Sequence, residues 1–159
     1  MLDKNKFVGV WKIKHHDKNG NLIGIYDIFN AVVTAGVNHI LDVEFNGASQ
    51  SSSWYVGLVG TWTAFNSADT LAVHAGWLEA TPYAGGRPQW TVGGAAARAI
   101  TNPVTVDFAI TSGATLKGIF ICDAATGTVG TLWSEAAFSL AANVNIGDIL
   151  KVTYTLSIP

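Results

Sequence analysis

The stretch Ile149-Leu150-Lys151-Val152-Thr153-Tyr154-Thr155-Leu156-Ser157-Ile158 alternates without a break. Leu150, Val152, Tyr154, Leu156 and Ile158 fall on one side of an extended chain, a period-two pattern that predicts a half-buried strand. Moving outward, Ile146-Gly147-Asp148 makes a tight turn into it from an apolar run over Val129 to Leu140. Thr126-Gly127 opens a turn before that run, and Leu116 to Cys122, with a central Gly118, reads as the strand on its other side. Upstream of Ser112-Gly113, Val104, Val106, Phe108 and Ile110 alternate with Thr105, Asp107 and Ala109. Residues 104–158 are therefore expected to be β-rich.

The N-terminal part adds a hairpin over 6–29. Phe7, Trp11 and Ile13 share one face and Lys12 and Lys14 the other, and Asn19-Gly20 turns the chain towards Leu22 to Phe29. Near 34–45 the period changes: Val33, Val37, Ile40, Leu41 and Phe45 recur at helical spacing, Thr34 is placed to cap the start, and Asn46-Gly47 to end it. Ala48 to Ser53 is a polar loop, and Trp54 to Val59 an apolar strand. From Gly60 to Ala99 regularity fades into a long aromatic-rich excursion with two short strands. With no βαβ alternation and no repeat, residues 1–159 are expected to form a single mainly β domain. Its architecture reads as an antiparallel β-sandwich, jelly-roll-like, with one short α-helix and a long irregular loop region.

Composition narrows the function. At 159 residues the chain is long enough to bury a core without disulfide staples, and its one cysteine, Cys122, precludes an internal disulfide or a multi-cysteine zinc site. A net charge of −2 argues against gripping nucleic acid through phosphates. No apolar run reaches the ~18–20 residues of a membrane-spanning helix, and the N-terminus lacks a signal-peptide core. Charged residues make up 13%, against about 25% in an ordinary soluble domain, so such a surface suits a protein packed against neighbours. The charge is also uneven: residues 1–18 carry five lysines and two aspartates, and the remaining residues carry four cations and nine acids. Such a basic edge can orient a subunit, or it can serve only solubility.

Chemistry is sparse. His15 and His16 are adjacent on a strand and point to opposite faces, and His39 has only Asp42 nearby at helical spacing, so no metal or cofactor site is expected. Asp69, His74 and Glu79 form the one local acid–base cluster, suited to hydrolysis or cation binding only if the fold brings them together. No nucleophile elbow, phosphate loop or dinucleotide fingerprint occurs, and no enzyme activity is expected. The tryptophans remain: Trp11, Trp54 and Trp133 sit in strands and read as core. Trp62, Trp77 and Trp90 lie in the irregular stretch, where they can contact a partner, stack on a sugar or pin the loop to the core.

A resemblance runs through several of these segments. Asn30-Ala31-Val32-Val33-Thr34-Ala35-Gly36 leads to Ile40-Leu41, then Trp54-Tyr55-Val56-Gly57-Leu58 and Ala68-Asp69-Thr70-Leu71. His74-Ala75-Gly76-Trp77-Leu78-Glu79, Arg87-Pro88 and Gly147 to Leu156 complete the order. The succession resembles small virion structural proteins of tailed bacteriophages, of capsid decoration, cement or tail-component type. It implies a non-enzymatic part of a virion, on the outer capsid surface and made in the host cytoplasm. The implied partners are the major capsid protein and copies of the chain itself, with a homotrimer as an analogy, and neither nucleic acid nor membrane. A tail or neck component is the alternative within that group, and a glycan-binding adsorption module the alternative outside it. The expected contact residues are Lys12, Lys14, His15, His16 and Lys18 on the hairpin, with Trp62, Phe65, Trp77 and Trp90 on the long loop.

Overall fold

A computed structural model of the chain describes residues 7–158; Lys4 and Lys6, part of the basic N-terminal segment, lie outside the described residues. The described chain is mainly β, with one helix and two antiparallel sheets. The hairpin forms as β1 (Val8–His16) and β2 (Leu22–Phe29). At its turn Asp17 Oδ1 accepts the backbone N–H groups of Asn19 and Asn21, and Gly20 takes φ +83°, a left-handed geometry that glycine adopts without a Cβ penalty. The C-terminal strand β11 (Ile149–Ser157) pairs with β1 along its whole length, from Val8 opposite Ser157 to His16 opposite Ile149. Two short strands, β7 (Ala99–Thr101) and β8 (Val106–Ala109), pair with its other edge, giving the order β2-β1-β11 with β7 and β8 beyond.

The second sheet runs β3 (Ala31–Val32), β10 (Leu132–Val144), β9 (Ala114–Cys122), β4 (Trp54–Trp62), β5 (Trp77–Ala80), with β6 (Gln89–Trp90) also on β4. The predicted alternation is seen in the burial: Trp11, Ile13, Leu150, Val152 and Tyr154 are all inaccessible, and Lys12 and Lys14 point out. These side chains join Val56, Leu58, Ile119 and Ile121 of the second sheet in one hydrophobic cluster. Each such buried side chain contributes roughly 1.5–3 kcal/mol relative to an exposed one. At its centre Trp11 stacks on Tyr154, and the Tyr154 hydroxyl accepts N–H groups from Asn30 (2.7 Å) and Trp133 (3.1 Å).

Three boundaries differ from the sequence reading. Val104 is exposed in a bend ahead of β8, Val129 is exposed ahead of β10, and Ile158 follows the end of β11. Helix α1 (Thr34–Phe45) has the expected span, but Val33 rather than Thr34 occupies the N-cap, with no side-chain cap. Its buried face is set by Gly36, where a Cβ would meet the Trp133 carbonyl at 2.6 Å. Val33 is buried and Ile40 packs against the core as the expected apolar face requires, but Leu41 and Phe45, from the same face, are turned to solvent.

Candidate functional site

The hairpin presents its expected lysines. On the outer face of the first sheet Lys12 lies 3.8 Å from Asp27, and Lys14 is exposed opposite Lys151 of β11. Lys18 is exposed at the turn. His15 corrects the reading: it points inward and is 3% exposed, and its Nε2–H donates to Asp148 Oδ2 at 2.8 Å. Asp148 also accepts the Asn145 N–H, so the pair ties β1 to the turn before β11 and offers nothing to a partner. His16 is half-buried.

The aromatic residues divide. Phe65 is exposed and Trp62 half-buried at the end of β4, so both retain accessible surface. Trp77 and Trp90 are 1% and 8% exposed and are corrected to core residues. Their burial follows from their indole N–H groups, which find buried acceptors. Trp77 donates to Glu135 Oε2 at 2.6 Å, and Trp90 to Asn102 Oδ1 at 3.0 Å. Asn102 is saturated: the same oxygen accepts the Tyr154 N–H, and its amide donates to the Val104 and Val152 carbonyls. Trp11 and Trp133 are core as expected, and Trp54 is half-buried.

The Asp69, His74, Glu79 cluster is dispersed. His74 stacks on Trp77 and its Nδ1 lies 3.0 Å from that residue's carbonyl. Glu79 forms a fork with Arg87, Nε to Oε1 and Nη2 to Oε2, both at 2.7 Å. Asp69 is buried, and its charge acts on Glu135. Burial, with the charge of Asp69 added, pushes the Glu135 carboxyl up to about 7, against the Trp77 hydrogen bond that lowers it. No group of three or more His, Cys, Asp or Glu suited to a metal ion occurs among the described residues. Burial also raises the Cys122 thiol, which donates to the Ala124 carbonyl.

One cavity of about 510 Å³ lies between α1, the 50–54 segment and β6. Ile40, Val43, Trp54 and Trp133 supply apolar wall, and His39 and Ser51 stand at its polar side. Ser51 Oγ donates to Asp123 Oδ2 at 2.8 Å, and His39 Nε2 lies 3.2 Å from Ser51 Oγ. With the hydroxyl proton directed at the carboxylate, the imidazole donates to Ser51 rather than acting as its base.

Glu135, Asn102 and Arg87 are the organising polar residues that the sequence reading missed. A signal existed for one of them: Glu135 interrupts an apolar run, Leu132-Trp133-Ser134-Glu135-Ala136, and a carboxylate there requires a buried partner. No protein-family model matches the chain, and comparison with curated protein sequences returns no match. No described helix is long and apolar enough to cross a membrane.

Proposed function

We propose that this chain is a non-enzymatic structural protein of a tailed-bacteriophage virion, a capsid decoration or cement protein that binds and stabilises the outer head shell. The observation that carries the reading is a surface low in charge and rich in exposed large apolar side chains. Leu22, Ile23, Ile25, Phe29, Leu41, Phe45 and Leu140 are all half-exposed or more. Such a surface gains free energy from close neighbours, and the major capsid protein and further copies of this chain would supply them.

The two-sheet arrangement fits a β-sandwich of jelly-roll type. The support is its nested pairing: β1 with β11, β3 with β10, and β4 with β9, as in a long hairpin rolled onto itself. The glycan-binding alternative loses two of its three candidate rings with the burial of Trp77 and Trp90, and only the half-buried Trp62 retains accessible surface among them.

In this reading the outer face of the hairpin contributes an electrostatic contact. Replacing Lys12, Lys14 and Lys18 together by glutamate is expected to weaken attachment to capsid shells roughly tenfold at low salt, with an unchanged circular dichroism spectrum. Sedimentation of mutant and wild-type chain with shells stripped of it makes the test. Equal retention would remove the hairpin from the contact.

A further inference from the structure

We propose that β2 is a self-association edge, pairing antiparallel across a two-fold axis with β2 of a second copy. Strand edges in folded chains are normally short, bulged, charged or covered, because an open row of N–H and C=O groups recruits another strand. The other edges follow that rule. β3 has two residues, β5 four, β6 two, β7 three and β8 four. The part of β10 beyond β3 is broken by a register irregularity between Ala137 and Ala142.

β2 does not follow it. From Gly24 to Phe29 its ladder to β1 is regular, with the one irregularity at the turn end, where Ile23 is skipped. No described backbone or side-chain group hydrogen-bonds the opposite edge of 24–29. That segment holds no lysine and no proline, and its one charge, Asp27, faces Lys12 of its own sheet. Ile25 and Phe29, on the outer face, are 55% and 75% exposed.

A second copy is the occupant that this edge fits, because a two-fold contact requires only that one surface complement itself. Paired residues must share a face, so the axis passes a residue and not a peptide between two. An axis at Asp27 would set two carboxylates opposite each other, which is unfavourable. An axis at Tyr26 sets Ile25 opposite Asp27 of the other copy and Gly24 opposite its Ile28, and brings Phe29 to the turn end of that copy's strand. Lys14 is the β1 neighbour of Ile25 and faces Lys151 on its other side. This register therefore brings an acid two strands away, about 10 Å, towards a lysine that has no ion-pair partner among the described residues. The proposal supplies a surface for the self-association in the functional reading but does not need the virion.

Analytical ultracentrifugation of the full chain tests it, with Ile25→Lys and Phe29→Glu as variants. Both replace exposed side chains, and unchanged thermal unfolding would show that each folds. Wild type is expected to sediment as a dimer of about 34 kDa, twice the 16.8 kDa chain, at micromolar concentration. Each variant is expected to raise the dissociation constant about 100-fold or more. Amides of residues 24–29 should also gain hydrogen-exchange protection with concentration in wild type alone. A wild-type chain that stays monomeric, or an assembly of any size that persists in both variants, would overturn the proposal. Solution dimers of a chain missing from virions would instead overturn the virion reading alone, and monomers that still coat virions would overturn the edge alone.

Discussion

Glu135→Gln is expected to remove a loss of about 3 kcal/mol of stability that the wild-type chain suffers between pH 5 and pH 8. In the folded chain Glu135 is fully buried, and its carboxyl holds a proton up to about pH 7; its ordinary value is 4.5. Below the ordinary value both folded and unfolded chains are protonated, and the contribution is fully present. Between the two values the unfolded chain releases a proton that the folded chain keeps, so stability falls as pH rises, and the loss is complete above the folded value. Glutamine keeps a carbonyl for the Trp77 indole but does not ionise. For a chain of this size the effect is a fall of roughly 6–12 °C in Tm for wild type relative to the variant. Thermal unfolding of both across this pH range checks it, and parallel curves would contradict it. The segment from Asp69 to the start of β5 at Trp77 should open first as pH rises, because the Trp77 indole is bonded to Glu135 and the Asp69 charge repels the carboxylate that forms there.

Arg87→Ala is expected to destabilise the chain by about 3–5 kcal/mol. The guanidinium is almost inaccessible, and it does more than pair with Glu79. Its Nη1 donates to the Ala124 carbonyl, its Nη2 to the Gly127 carbonyl, each at 2.9 Å, and its Cζ lies 5.2 Å from the Phe120 ring centre. Removal leaves a carboxylate without its partner and the Gly127 carbonyl without this donor, and leaves the backbone bond from residue 87 to the Ala125 carbonyl to hold the 81–88 segment to the turn after β9. Arg87→Lys should recover only part of the loss, since an ammonium cannot reproduce the two-pronged contact. Glu79→Gln in the Arg87→Ala background should cost less than the two single effects added, by about 1–3 kcal/mol, because the unpaired charge is then gone. Urea unfolding of the four proteins measures this, and strict additivity would contradict the account of the pair.

These two sites mark where the sequence stopped being legible. β11 and the first hairpin could be read because each buries one face, and burial of one face leaves strict alternation in the chain. The turns at Gly20, Gly47 and Gly147 could be read because a left-handed backbone selects glycine, and all three have positive φ. The helix span was readable from its period, but its packing face only in part. Val33 and Ile40 mark part of it, but the close contact through Gly36 has no apolar side chain to mark it, and Leu41 and Phe45 point to solvent. Trp77 and Trp90 misled for a related reason. Whether an indole in an irregular stretch is buried depends on a distant acceptor, and Glu135 lies 58 residues from Trp77. Asp69, His74 and Glu79 looked like one cluster because they are close in sequence, whereas Glu79 is held by Arg87 and Asp69 is buried with its charge acting on Glu135.

Under the proposed virion role, the copy number of this chain in purified phage particles, by quantitative mass spectrometry against the major capsid protein, tests the functional account most directly. The account predicts on the order of hundreds of copies per particle, in a simple ratio to the capsid protein, as symmetric coverage of a shell requires. About six to a few dozen copies would contradict decoration and place the chain in the tail or neck, and absence from the particles would contradict the virion role itself.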